Sequence, residues 1–158
     1  MKTVRFLVVG LILASFNACA STSTLKPRNY EQVRLQDEAN EFYNAWRDKN
    51  SEKIWQLSSP FFKEANDSKE EWIKYSDRFL RSMDFLDYSN LKVIYLERKL
   101  AVTQADISLT LKKEGNFSTC ERIIWLRFPE GWRFEEPSHS CDYMPDADRI
   151  KTLTQKIP

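Results

Sequence analysis

Apolar and polar residues alternate with two different periods along this chain, and the change of period divides it. In the first half, Leu35, Ala39, Phe42 and Trp46 recur at i, i+4, i+7 and i+11, and Tyr43 widens the stripe. Arg34, Asp37, Glu38 and Glu41 fall mostly on the other side, which predicts an amphipathic helix. Asn29 caps its start, with Gln32 three residues on. Asp48-Lys49-Asn50-Ser51 breaks the helix and caps a short second one carrying Ile54, Trp55 and Leu57. Ser58-Ser59-Pro60 ends that one, because proline disfavours a helical residue before it. Ser68-Lys69-Glu70-Glu71 is a capping box that opens a third helix, with Trp72, Ile73, Tyr75, Phe79, Leu80 and Met83 as its apolar side. Asp87-Tyr88-Ser89-Asn90, a cluster of turn residues, closes the helical part.

From Leu91 the period becomes 2. Leu91 to Glu97 reads as a first strand. In the next, Ala105, Ile107, Leu109 and Leu111 alternate with Gln104, Asp106, Ser108, Thr110 and Lys112, as in an antiparallel sheet covered on one face. Glu114-Gly115-Asn116 turns the chain into a third strand, about 117–128. Its continuous run Ile123-Ile124-Trp125-Leu126 marks it as central. Pro129-Glu130-Gly131 leads into Trp132-Arg133-Phe134-Glu135. The expected fold is therefore α+β, with three N-terminal helices on the concave face of a strongly curved antiparallel sheet of four or more strands.

The last hairpin has a testable register. A three-residue loop sets Phe128 opposite Trp132, Leu126 opposite Phe134 and Arg127 opposite Arg133. Those four apolar residues then share the core face, which leaves Trp125, Arg127 and Arg133 on the other as a candidate partner surface. The same register puts Cys120 opposite Ser140, one residue short of Cys141, a gap that a bulge or a departure at Pro137 closes.

The first nineteen residues follow neither period. Lys2 and Arg5 precede an apolar run from Phe6 to Phe16, and Asn17-Ala18-Cys19-Ala20 follows. A charged start, a short apolar middle and a small-residue exit make residues 1–18 an export signal. The run is about half the ~20 residues that span a bilayer. Cys19 resembles the lipid-bearing cysteine of bacterial lipoproteins, and residues 19–28 supply a polar tether. Ala18-Cys19-Ala20 also matches the A-x-A signal of plain secretion, which would cut after Ala20, so both cleavages stay open. Residues 29–143 are expected as one domain and 144–158 as a C-terminal tail. The place implied is the cell envelope facing the periplasm, lipid-anchored and on the outer membrane rather than the inner.

Charge and chemistry add exclusions. Loss of Lys2 and Arg5 with the signal takes the formal charge from +1 to about −1, and no block of one sign stands out, so nucleic acid is not an expected partner. Removal or lipidation of Cys19 leaves Cys120 and Cys141, an even pair that reads as a disulfide in an oxidising compartment. Two cysteines and the single His139 fall short of a zinc set, so neither metal nor cofactor is predicted, and His139 reads as a solvated loop residue. The five Trp read as core material, Trp125 excepted.

Glu41-Phe42-Tyr43-Asn44-Ala45-Trp46, Asp48-Lys49-Asn50-Ser51 and Ile54-Trp55 resemble the opening of the ketosteroid isomerase and nuclear transport factor superfamily. Glu130-Gly131-Trp132-Arg133-Phe134 resembles its closing hairpin. The resemblance covers about residues 30–136 and implies a cone-like α+β fold with a cavity at its open end. The isomerases' aspartate base and oxyanion hole find no match: Asp106 sits among the wet positions, and Tyr95, which could point inward, has no carboxylate placed beside it. The expected role is thus a non-catalytic binding or assembly domain of an envelope lipoprotein, its partners a membrane through the anchor and either an envelope protein or a small apolar ligand. A pocket enzyme of the isomerase or dehydratase kind and an accessory subunit of a secretion or conjugation apparatus are the alternatives.

Overall fold

The computed structural model describes residues 28–66 and 68–157. The export signal, Cys19 and all of the tether except Arg28 lie outside the described residues. Among the described residues four helices precede the sheet: α1 (Arg28–Arg47), α2 (Ser51–Leu57), α3 (Pro60–Glu64) and α4 (Lys69–Ser82). Four strands follow, β1 (Met83–Leu96), β2 (Leu100–Leu111), β3 (Gly115–Phe128) and β4 (Gly131–Ser138), in one antiparallel sheet of order β1-β2-β3-β4, and α5 (Ala147–Lys156) ends the chain. The order is a plain meander, so every strand pairs with its neighbour in sequence.

Two of the three expected caps act where the sequence puts them, while Asn29, expected to cap α1, lies inside it. Lys49 takes a positive φ of 55° to end α1, and the Asn50 side chain accepts from Lys53 N–H at the start of α2. The Ser68 hydroxyl accepts from Glu71 N–H and opens α4. Of the helices before the sheet, the one not expected from the sequence is α3. Its sequence signal was present in Ser59-Pro60, where proline stands at the first helical position and Ser59 accepts from Phe62 N–H. The proline that stops α2 thus starts α3.

The turn cluster Asp87-Tyr88-Ser89-Asn90 does not end the helical half; it lies inside β1. The strand starts directly after α4, and its pairing with β2 slips between Ser89 and Lys92, with Asn90 at φ 52°. Turn residues here make a bulge, which bends a strand instead of reversing it. A second bulge corrects the hairpin register. Arg122, Ile123 and Ile124 face Ser138, Pro137 and Glu136, as the three-residue loop requires, but Trp125 faces Phe134, Leu126 faces Arg133 and Phe128 faces Gly131. Glu135 is the extra residue, and the loop is only Pro129-Glu130.

That one-residue shift moves Trp125 to the inner face. It is fully buried there with Leu35, Phe42, Ile123 and Phe134, and its Nε1 donates to Thr103 Oγ1 at 2.8 Å. The outer face is covered too. Leu100, Val102, Ile124, Leu126 and Phe128 pack with Leu153 of α5 and Ile157 just after it, and with Tyr95, which faces outward. Residues 147–157, expected as part of a tail, are therefore packed on the sheet. The unbroken run from Ile123 to Leu126 is what a strand buried on both faces looks like. The odd positions of β2, from Ala101 to Leu111, supply the inner cluster as the alternation predicts, while Asp106 and Ser108 are exposed.

Cys120 and Cys141 form a disulfide with Cα atoms 5.4 Å apart, just past the last ladder pair, Arg122–Ser138. The chain-entropy model assigns a loop of this size roughly 3 kcal/mol. Cys120→Ser and Cys141→Ser should lower the melting temperature equally, and the double variant little further. Calorimetry of the three checks this; a double variant much less stable than either single one would disprove the bond's part in the fold.

Candidate functional site

Where α1 stops covering the inner face, the sheet and α4 enclose a cavity of about 150 Å³. That is below the ~300–1,000 Å³ of drug-sized ligand sites, so it fits a small molecule or one end of a larger one. Helix α1 contributes Phe42, Tyr43 and Trp46, one stripe at helical spacing; α4 contributes Phe79; β2 adds Ile107 and Leu109. Phe42 stacks on Phe134 at 4.6 Å, and Trp46 meets Phe79 edge-on at 6.0 Å. These pairs hold the wall rings in place without closing the space between them.

Three polar side chains converge at the mouth. The Tyr43 hydroxyl donates to Glu121 Oε1 at 3.0 Å, and His139 Nδ1 lies 3.2 Å from Glu121 Oε2. Strand β3 places Glu121 next to Cys120, and the disulfide pins the segment that carries His139. Burial, and after it the charge of Glu121, push the Tyr43 phenol above its ordinary pKa, so it remains a donor. The carboxylate is 13% exposed and the imidazole 72%. Its bond to Glu121, against a smaller opposing effect of burial, raises the pKa of His139.

His139 was expected to be a solvated loop residue. It remains largely solvated, but it has a carboxylate partner and a place on the cavity wall. Glu121 and Tyr43 carry the site without having been singled out. The only available signal was parity: on β3, position 121 shares the inner face with 123 and 125, so a charge there must point at the core edge. The expected partner surface does not assemble. Trp125 is in the core, Arg127 pairs with Glu31 at 3.0 Å and lies over Trp132, and Arg133 donates to the Trp132 carbonyl at 2.9 Å. A larger groove, about 510 Å³, runs past Glu31, Arg98, Arg127 and Trp132. It is open, and the Arg127–Glu31 pair across it satisfies its own charges, so the enclosed cavity is the better site.

Among the described residues no group of three or more His, Cys, Asp or Glu is placed to hold a metal ion, and no helix is long and apolar enough to cross a membrane. No protein-family model and no curated protein sequence matches the chain. Solved structures do. A protein from Streptomyces avermitilis, described as a candidate dehydratase of the NTF2-like family, superposes with a TM-score of 0.51 at 11% identity over 67% of this chain and 91% of its own. A ketosteroid isomerase-like protein from Erwinia carotovora atroseptica gives 0.52 at 13% identity over 69% and 94%. A domain of unknown function with a cystatin-like fold from Nostoc punctiforme gives 0.52 at 11% identity over 80% and 93%. At such identities the likeness is one of fold, shared with NTF2-like, ketosteroid isomerase-like and cystatin-like proteins.

His139 is the only histidine, so its imidazole gives a single titrating NMR signal. That signal should titrate above the ordinary ~6.5 and return towards it in Glu121→Gln. Because the folded value is the raised one, the pair's contribution to stability is complete below the ordinary value and disappears as the pH climbs past the folded one. An unshifted titration, or one indifferent to Glu121→Gln, would refute the contact.

Proposed function

We propose that this chain is an envelope lipoprotein, anchored through Cys19, whose domain binds a small, mainly apolar molecule in the cavity under α1 and α4. The observation that carries the binding half is the cavity itself. It is lined by rings and aliphatic side chains, and its few polar groups are gathered at one end, the pattern of a small-molecule site. The fold's likeness to proteins described as isomerase-like and dehydratase candidates agrees with use of that end but supplies no substrate. Support for the anchor is the signal-like layout of residues 1–18, the cysteine at its exit and the polar tether.

One observation favours a catalytic second reading. Tyr43, Glu121 and His139 form a hydrogen-bonded row at the mouth, with the imidazole oriented by a carboxylate, and such a row can move a proton. Against it, both Glu121 oxygens are engaged and the imidazole is mostly in water. This arrangement holds a charge better than it transfers a proton.

Methyl-labelled protein titrated with cyclohexanol should show saturable shifts at Leu86, Ile107 and Leu109, and Leu109→Trp, which fills the space, should abolish them. Saturable shifts confined to the groove beside Trp132, or none, would reject the cavity as the site. For the anchor, Cys19→Ala should move the protein from the membrane to the soluble periplasmic fraction, and the intact mass of the parent should carry acyl chains. A mature chain beginning at Ser21 would replace lipidation by plain secretion.

A further inference from the structure

The chemistry of the same cavity selects among small molecules. Five of its wall residues, Phe42, Tyr43, Trp46, Phe79 and Phe134, are aromatic, and ring faces carry the negative end of a quadrupole. Among the described residues no Lys or Arg lines it, its one basic group is His139, and its carboxylate, Glu121, is largely withdrawn from water. A charge so placed acts through a lower dielectric than at the surface.

An anion would meet the carboxylate and the ring faces, which both oppose it. A hydrocarbon would fit the rings but draw nothing from the charge of Glu121. We propose that the cavity takes a small organic ammonium, its cationic head among the rings and beside Glu121. Rings and a carboxylate together recognise a trimethylammonium head, which has no proton to donate and relies on field and fit. This rests on the ligand-binding reading above and names the class of ligand.

Choline and its uncharged isostere dimethylbutanol, which has a tert-butyl in place of the trimethylammonium group, make the test. Both should be titrated into the lipid-free mature domain by calorimetry, at a pH above the titration of His139, so that a protonated imidazole does not compete for Glu121. Choline should bind roughly tenfold or more tightly than the isostere, as cation–ring attraction in a desolvated site allows. Glu121→Gln, which keeps an acceptor for Tyr43, should bring the two affinities together. Phe79→Ala should weaken choline about fivefold, and with Phe79 42% exposed its loss spares the core. Equal affinities, or preference for the isostere, would overturn the cation assignment and leave the cavity as an apolar site. Failure of both ligands to bind would overturn it together with the ligand-binding reading. Retention of the choline preference in Glu121→Gln would overturn the role of the carboxylate and with it the proposal.

Discussion

The contact of α1 with the inner face of β3 and β4, centred on the stack of Phe42 on Phe134, holds the rest of the structure in place. The two rings lie 4.6 Å apart and nearly parallel, and Trp125 meets Phe42 edge-on at 5.8 Å. Ring pairs of this kind add about 0.5–1.5 kcal/mol each beyond the area they bury. Losing a buried Phe altogether costs about 3–5 kcal/mol, a large part of a domain's total stability. Their position matters as much as their energy. The stack fixes where α1 crosses the sheet, and Tyr43 and Trp46, its neighbours on the stripe, thereby become the cavity wall. Core and site are one helical face, read first at its buried part and then at its edge.

The far end of α1 is held by polar contacts of a different kind. Glu38 accepts from the backbone N–H of Trp132 and pairs with Arg34, whose guanidinium also donates to the Glu130 carbonyl at 2.7 Å. Burial raises the Glu38 pKa, while the Trp132 N–H and Arg34 work the other way. The carboxylate is therefore a clamp on the β3–β4 turn. Gly131 is where it reaches the backbone: φ is 152°, and a Cβ there would collide with Glu38 Oε1. Only glycine permits that approach. A two-residue turn gripped in this way forces the ladder to be out of step with the cysteine end, and the bulge at Glu135 absorbs the difference. The bulge also aims the half-buried Glu135 at the hydroxyl of Ser59, the cap of α3.

How much of this was legible follows from which interactions are local. The α1 stripe, the caps at Asn50 and Ser68, the alternation of β2 and the pairing of Cys120 with Cys141 depend on spacing, caps or parity, and they read correctly from the chain. The hairpin register did not, because the Glu38 clamp that shortens the turn comes from 94 residues away. Trp125 was misplaced for the same reason. The outer core was missed because α5 is a short helix whose Ile150 and Leu153, with Ile157 just after it, mean little until Leu126 and Phe128 are seen to need a cover. The polar row at the cavity was hidden because Tyr43, Glu121 and His139 lie on three segments that only the folded sheet brings together.

The disulfide has a second consequence through this arrangement. Closure of the Cys120–Cys141 link fixes the chain on both sides of the polar row, since Glu121 follows one cysteine and His139 precedes the other by two residues. On the far side of Cys141, Arg122 donates to the Tyr143 carbonyl at 2.8 Å, and Pro145 is buried where the chain enters α5. The segment between β4 and α5 is thus tied at its middle by a covalent bond and beyond it by packing. An exposed imidazole on a free loop would lose more entropy on pairing with Glu121 than a solvated ion pair returns. With the loop already closed, that entropy is spent before the pair forms. The contact can then persist at 72% exposure of the imidazole. The link that stabilises the hairpin also keeps the mouth of the cavity in one shape.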